Sequence, residues 1–567
     1  MGAFVGSAVR WWAGPGPGGP PGHLIPRWVF LRALGAIYFS AFYSLVFQIR
    51  GLIGPDGLLP ARSYLAEIAK VMPGASHYWY APTLLWLDSS SRALLLGCFV
   101  GMIAAFLLVL NLWPRAMLAV CFVLFLSFVA AAEEFSGYQS DGMLLAAGFI
   151  SLFFAPGGWR PGFGQAEPPS PATLILLQLL WFTIYFESGL AKYFGGDPSW
   201  RNFSAMNEYY QNGPLPTWIG WYAHQWPEWF HRGTAFLVVF SELIVVCMIF
   251  LPRIFRMVCF FLVTFLQMGM TLTANYAFLN YLVLALGIFL LDDVFLIRAV
   301  RRRWRGPVEQ ALAVRPPAPW HRKYFHFGRP AGETPASTDP ELLSLTSPAP
   351  LAAGGASSWG DYVAGAFLWI KALLLAWVLY ATAFLLLEQI SPGWPLPSEP
   401  ASLLDPFRIA NSYGLFGRMT WSRYEIEFQG SNDGQSWTAY PFRYKPQAVD
   451  EASGIYAPYQ PRFEWNLWFA SLGRWRENPF VVRTEQQLLL GNKDVLAFFR
   501  FNPFPAAPPK QVRAVVWQYW FTDRATRKRT GAWWRREYRG LYAPALLRTD
   551  NGQIVVSEWP EGPLPPP

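Results

Sequence analysis

Four charged residues, Glu187, Lys192, Glu242 and Lys371, fall inside runs of apolar sequence where a membrane helix is expected. A charge at such depth is costly unless it is paired or hydrated, so each is a candidate for function. Glu187 and Lys192 sit five positions apart, about 140° around a helix, and so do not form a pair on one face. Lys192 closes its run and can snorkel to the interface. Glu187 lies deeper and, with Glu242 in the next run, predicts a polar pocket within a bundle. Lys371, about ten residues into the last run, is expected to pair with Glu242 or Glu187. The polar stretch 192–232 follows and carries two of the six histidines, His224 and His231. It is also rich in aromatic rings, among them Trp200, Tyr210, Trp221 and Tyr222. Such rings form an interfacial belt or a surface helix, or else a platform for a lipid or a protein client.

Other chemistries leave no trace. There is no G-x-S-x-G elbow, P-loop, G-x-G-x-x-G or H-E-x-x-H. The four cysteines, Cys98, Cys121, Cys247 and Cys259, lie in apolar runs without ligand spacing, so neither a metal site nor a disulfide framework is expected. Glu133, Glu134 and Asp141 read as a solvated acidic loop. The net charge of +9 is gathered beside apolar runs (Arg298, Arg301, Arg302, Arg303, Arg305) and near the C-terminus, not in a stripe, so nucleic acid is not an expected partner.

The elements that position these residues follow from the patterning. Hydrophobic residues make up 53% of 567 residues and charged ones 14%, which fits a membrane protein carrying a soluble part. Apolar runs at 28–48, 93–113, 116–133, 142–155, 171–191, 233–251, 254–273, 276–296 and 362–387 predict about nine helical spans, judged against the ~20 residues needed to cross. The run 142–155 is short enough to be re-entrant. Arg115, Arg253, Arg256 and the cluster from Arg301 all fall on one side if nine spans are counted, and that side is taken as cytoplasmic. Loops 49–92 and 192–232 and the C-terminal part are then outside. Residues 1–26 read as a disordered tail, 27–300 as a bundle of about eight helices, 301–360 as a Pro-rich cytoplasmic linker, 361–388 as the ninth span and 389–567 as an extracytoplasmic domain. In that domain Tyr424, Ile426 and Phe428 alternate with Glu425 and Glu427, and Asn432-Asp433-Gly434 marks a tight turn, so a β-rich sandwich of jelly-roll type is expected, with a helical insert near 480–500.

Ser188-Gly189-Leu190-Ala191-Lys192, then Trp200, then Asn207 with Tyr210, then Pro214-Leu215-Pro216 and Trp221-Tyr222-Ala223-His224 resemble the corresponding loop of the lipase maturation factors. FRIANSYGLFGRMTWSRYEIEFQGSNDG, YQPRFEWNLWFASL, NPFPAAPPKQVRA and WWRREYRGLYAPAL are similar to that family's C-terminal segments. The resemblance implies a polytopic protein with a cytosolic N-terminus that helps secreted lipases fold and assemble, without cofactor or metal. It points for client contact to stretch 192–232 and to Asn411, Tyr413, Gly414, Phe416 and Gly417, and to Arg462, Trp465 and Trp468; the other reading of those C-terminal residues is turns and core. The predicted outer segments lack cysteine, and the chain ends in PPP, which together suggest a bacterial inner-membrane member with a periplasmic C-terminal domain. A more distant resemblance is to the membrane domain of the vitamin K-dependent carboxylase, in which a Lys after Tyr-Phe-x-x-Gly deprotonates a hydroquinone. Lys192 holds that place, which implies an alternative: a quinone-dependent enzyme with Lys192 as base and Glu187 nearby. The expectation carried forward is a non-enzymatic maturation factor whose partners are a secreted client, such as a lipase, and membrane lipids.

Overall fold

The computed structural model describes residues 2–14, 22–313 and 359–562. Most of the expected linker 301–360 lies outside the described residues. Helix α1 (Gly2–Ala13) stands where a structureless tail is expected. The Gly/Pro-rich stretch begins only at Gly14, and before it Trp12 and Ala13 find the apolar core to pack on.

The apolar runs become α2 (Leu24–Val46), α3 (Ser91–Val109), α4 (Pro114–Val129), α5 (Gln139–Phe154) and α6 (Pro171–Phe194). After the short α7 (Trp218–His224) come α8 (Glu228–Leu243), continued by a tighter turn to Phe250, α9 (Arg253–Thr273), α10 (Leu279–Gly287) and α11 (Trp359–Ile390). Start signals are local: Ser90 and Ser170 accept from the Ala93 and Thr173 N–H groups, and Pro114 and Pro171 open their helices. Among the described residues six helices are long and apolar enough to cross a membrane, namely α2, α3, α6, α8 with its continuation, α9 and α11; α4, α5 and α10 are shorter apolar helices. The protein is an integral membrane protein. Helix α5 is continuous: its first turn carries Asp141 against the C-terminal region, and at its other end the Phe154 carbonyl accepts from Arg27 at 3.4 Å.

The two ends of the bundle differ in chemistry. At one end Arg27 donates to the carbonyls of Glu167 (2.6 Å) and Gly164 (2.7 Å), Arg115 pairs with Glu167 at 2.9 Å, and Arg253 pairs with Asp292. The other end is covered by the C-terminal domain. That domain is one antiparallel sheet of β1 (Arg423–Ser431), β2 (Thr438–Ala439), β3 (Gln511–Phe521), β4 (Trp534–Leu541), β5 (Ala545–Arg548) and β6 (Ile554–Glu558), ordered β2-β1-β3-β5-β6 with β4 also on β3. The expected turn follows β1, with Gly434 at φ +74 and Asp433 Oδ1 accepting from the Gln435 and Ser436 N–H groups.

Among the described residues the sheet has no second sheet facing it, and in this the domain differs from a sandwich. Helices α12 (Arg462–Ala470) and α13 (Pro479–Leu489) form the opposing layer instead. Phe480, Val481, Thr484, Leu488 and Leu489 bury one stripe of α13, and Phe463 of α12 stacks 6.3 Å from Phe428. The other face of β1, with Glu425 and Glu427, is buried as well. Arg423 and Lys445 pair with Glu425, and Arg536 reaches Glu427 at 3.1 Å. One continuous apolar core runs from Phe30 in α2 to Val512 in β3, so bundle and domain fold as one body.

Candidate functional site

Lys192 and Glu242 meet at the end of the bundle that faces the domain. The Lys192 ammonium donates to both Glu242 oxygens, at 2.9 and 2.8 Å, and to the Leu415 carbonyl at 2.8 Å. All three donors of the ammonium are used. Both side chains are buried, at 4% and 5% exposure, so Lys192 does not snorkel; the Trp200 ring lies 5.4 Å from its charge. Gly189, one turn before Lys192, permits the approach of α6 to α8, for a Cβ there would stand 2.9 Å from the Glu242 Cβ. Gly189→Ala is therefore expected to destabilise the protein by about 1–3 kcal/mol through overpacking. Gly233→Ala on α8, where a Cβ meets nothing within 4 Å, is the control. An unchanged thermal midpoint for Gly189→Ala in detergent would show that the helices are not in close contact.

Glu187 takes a different partner. Its Oε2 accepts the Tyr413 N–H at 2.6 Å, while Oε1 has no hydrogen-bond partner among the described residues. Ser188 Oγ accepts the Leu415 N–H at 3.2 Å, and Gln389 of α11 donates to the carbonyls of Glu187 (2.9 Å) and Tyr413 (3.2 Å). Residues 411–420 are thus sewn across the ends of the helices. Asn411 donates to the Gly142 carbonyl at 3.2 Å, Gly414 N–H to Gln139 at 3.2 Å, Trp200 Nε1 to the Phe416 carbonyl at 3.0 Å, and Met419 N–H to Asp197 at 2.7 Å. Gly417 N–H donates to the Gly414 carbonyl at 3.2 Å and closes a turn.

Two buried arginines fasten the domain further. Arg462 donates to both oxygens of Asp141, at 2.7 and 2.8 Å, and to the Phe135 carbonyl at 2.7 Å, with neither charge exposed. Arg423 donates to the carbonyls of Gln211 (2.8 Å), Gly213 and Pro214 (3.0 Å). Trp468 Nε1 donates to the Asn212 carbonyl at 3.0 Å, and Trp465 packs 5.7 Å from Tyr138.

The other predicted residues divide by depth. Tyr210 is buried beside His231, Trp221 packs 5.4 Å from Trp533, and Asn207 Oδ1 is buried without a hydrogen-bond partner among the described residues. His224 packs on Phe521, and burial lowers its pKa to about 4, so it is neutral near pH 7. Trp218, Tyr222, Trp226 and Trp229 are exposed. Lys371 pairs with neither Glu242 nor Glu187. It lies eighteen residues before Gln389, about 27 Å along α11, at the end of the bundle where Glu167 and Arg115 sit. Asp141, expected in a solvated acidic loop, is instead buried and paired with Arg462, and sequence reasoning gave no role to Asp197, Gln389 or Arg423, whose bonds to Met419, Glu187 and Gln211 each span more than two hundred residues. Only Asp141, an acid just before an apolar run, left a signal.

The lipase maturation factor transmembrane domain matches residues 25–298, and the lipase maturation factor C-terminal domain matches residues 409–544. Lipase maturation factor 2 of Gallus gallus is 31% identical over 92% of this chain and 81% of its own length. The chain belongs to the lipase maturation factor family. Lipase maturation factor 1 of Bos taurus is 29% identical over 94% of this chain and 91% of its own length, and lipase maturation factor 2 of Homo sapiens is 28% identical over 93% and 84%. No solved structure matches the chain. The C-terminal family domain opens at residue 409, just before the strap that binds Glu187 and Lys192.

Proposed function

We propose that this chain is a membrane-embedded maturation factor that assists the folding or assembly of secreted proteins, a lipase among them, and that it works without a cofactor. The observation that carries this reading is the seam itself. The charged groups that stand out in sequence at the bundle end hold the domain: Lys192 holds Glu242 and the Leu415 carbonyl, Glu187 accepts the Tyr413 N–H, and Asp141 holds Arg462. The adjoining cavity, lined by Tyr185, Lys192, Glu242 and Gln267 among others, encloses about 50 Å³, room for a few waters. The arrangement presents a rigid soluble domain at the membrane surface.

The six long and three shorter apolar helices support nine crossings. With Arg115, Arg253 and the cluster from Arg301 in the cytoplasm, the domain stands outside, which in a bacterium is the periplasm. Client contact then falls on the outer surfaces of the domain and of stretch 192–232, since Tyr413 of the strap and Phe463, Trp465 and Trp468 of α12 are buried. The test is deletion of the gene in its host, followed by measurement of activity per amount of secreted lipase. A fall that the wild-type gene restores supports the reading; unchanged specific activity of every secreted lipase overturns it.

A further inference from the structure

The connection between β3 and β4 folds into a short helix, α14 (Arg524–Thr530, RATRKRT), which lies on α7. Its four cations, Arg524, Arg527, Lys528 and Arg529, are used unequally. Arg527 is caged by aromatic rings: its guanidinium lies 3.5 Å from the Trp533 ring and 4.8 Å from that of Trp221, and it donates to the Tyr222 hydroxyl at 2.8 Å. Arg524, Lys528 and Arg529 are exposed. Asp523 accepts the Thr526 N–H at 2.6 Å as the cap of α14 and lies within the field of Arg529, while Glu228 pairs with Arg232 at 2.9 Å. An open pocket of about 400 Å³ lies between α7 and α14, lined by Trp221, Tyr222, Arg524, Arg527, Lys528 and Gly531.

The depth of this pocket decides what fills it. Helix α7 ends at His224, and the candidate span that begins at Glu228 starts four residues later. Between and beside them Trp226 and Trp229 stand 49% and 69% exposed, as rings do at the headgroup level. Helix α14 is tied to that level by Arg527 on Tyr222 and by Gln225 on the Thr522 carbonyl at 3.1 Å. The headgroup layer is roughly 5–8 Å thick on each side, within reach of arginine and lysine side chains rooted just above it. We propose that this pocket binds the phosphate headgroup of an anionic phospholipid of the surrounding bilayer, with Arg524 and Lys528 of its lining on the phosphate, Arg529 adding positive charge beside them, and Trp226 and Trp229 outside it marking the level at which the acyl chains start. Arg527 acts as a positioning residue, holding α14 on α7. The site would fix the height and tilt of the domain edge against the membrane, and it is independent of the client reading.

The test is native mass spectrometry of the full chain in detergent, with phosphatidylglycerol or phosphatidylcholine of the same acyl chains added. The wild type is compared with Arg524→Glu/Lys528→Glu/Arg529→Glu, whose positions are exposed and whose thermal midpoint serves as the folding control. Wild type is expected to retain phosphatidylglycerol preferentially, and the variant to lose about tenfold or more of that preference, as does wild type at raised salt. Equal retention of the two lipids by wild type, or a preference that survives the triple reversal, overturns the proposal. A wild type indifferent to the lipids that instead binds polyglutamate through the same three residues also overturns it, in favour of an acidic protein segment.

Discussion

Arg462→Ala is expected to destabilise the protein by about 3–5 kcal/mol, because it strands the buried Asp141 carboxylate 321 positions away in sequence. Two carboxylate oxygens and the Phe135 carbonyl lose their donor at once, at a place where neither side chain of the pair is exposed. The loss should appear as a lower thermal midpoint and as separation of the two halves. Residues 391–399 are exposed, so a protease can cut there. In the wild type the two fragments should still elute together, held by the seam; in Arg462→Ala they should part. The paired change Arg462→Met/Asp141→Leu removes both charges and is expected to recover most of the midpoint, since apolar residues of similar volume often replace a buried ion pair at little loss. If the double variant is as unstable as the single, the stranded carboxylate is not the source of the loss.

How much of this was legible follows from where the information sits. The helices were readable because each apolar run is a local signal, and the ends match to within a few residues at α2, α6 and α9. Strand β1 was readable from alternation, and α13 falls within the helical insert expected near 480–500. The single sheet was not. Alternation at Ile426 and Phe428 says that a layer must cover one face, but not whether strands or helices supply it. Both faces of β1 are in fact buried, the acidic one under Arg423, Lys445 and Arg536.

The site was legible as a place and not as a set of partners. Glu187, Lys192 and Glu242 stood out because charge in a membrane helix is rare, but the pocket expected of Glu187 with Glu242 is not what forms: Glu242 pairs with Lys192, and Glu187 turns to the Tyr413 N–H. Their remaining partners are backbone groups of Tyr413 and Leu415, which carry no signature in sequence. The aromatic stretch misled in part for the same reason. Composition marks Trp200, Trp221, Trp226 and Trp229 alike, yet docking of the domain buries the first two and leaves the others exposed. Lys371 was matched to the acids by rarity alone, while its position along α11 puts it at the other end of the bundle.

Lys192→Met is expected to destabilise the protein by about 3–5 kcal/mol, for it leaves Glu242 as an unpaired acid within the bundle and frees the Leu415 carbonyl. Loss of function in that variant alone would therefore say nothing about chemistry. The informative variant is Lys192→Met/Glu242→Leu, in which both charges go and apolar side chains fill the space. Its thermal midpoint should return close to that of the wild type, because the desolvation of two ions is relieved along with the loss of their attraction. A maturation factor whose Lys192 only fastens the domain keeps its effect on the specific activity of a secreted lipase in this double variant. A protein that uses the Lys192 amine as a base folds in the double variant and is inert, since methionine has no proton to exchange. A stable, active double variant makes the ion pair a fastening of domain to bundle, and a stable, inactive one makes Lys192 a reacting group.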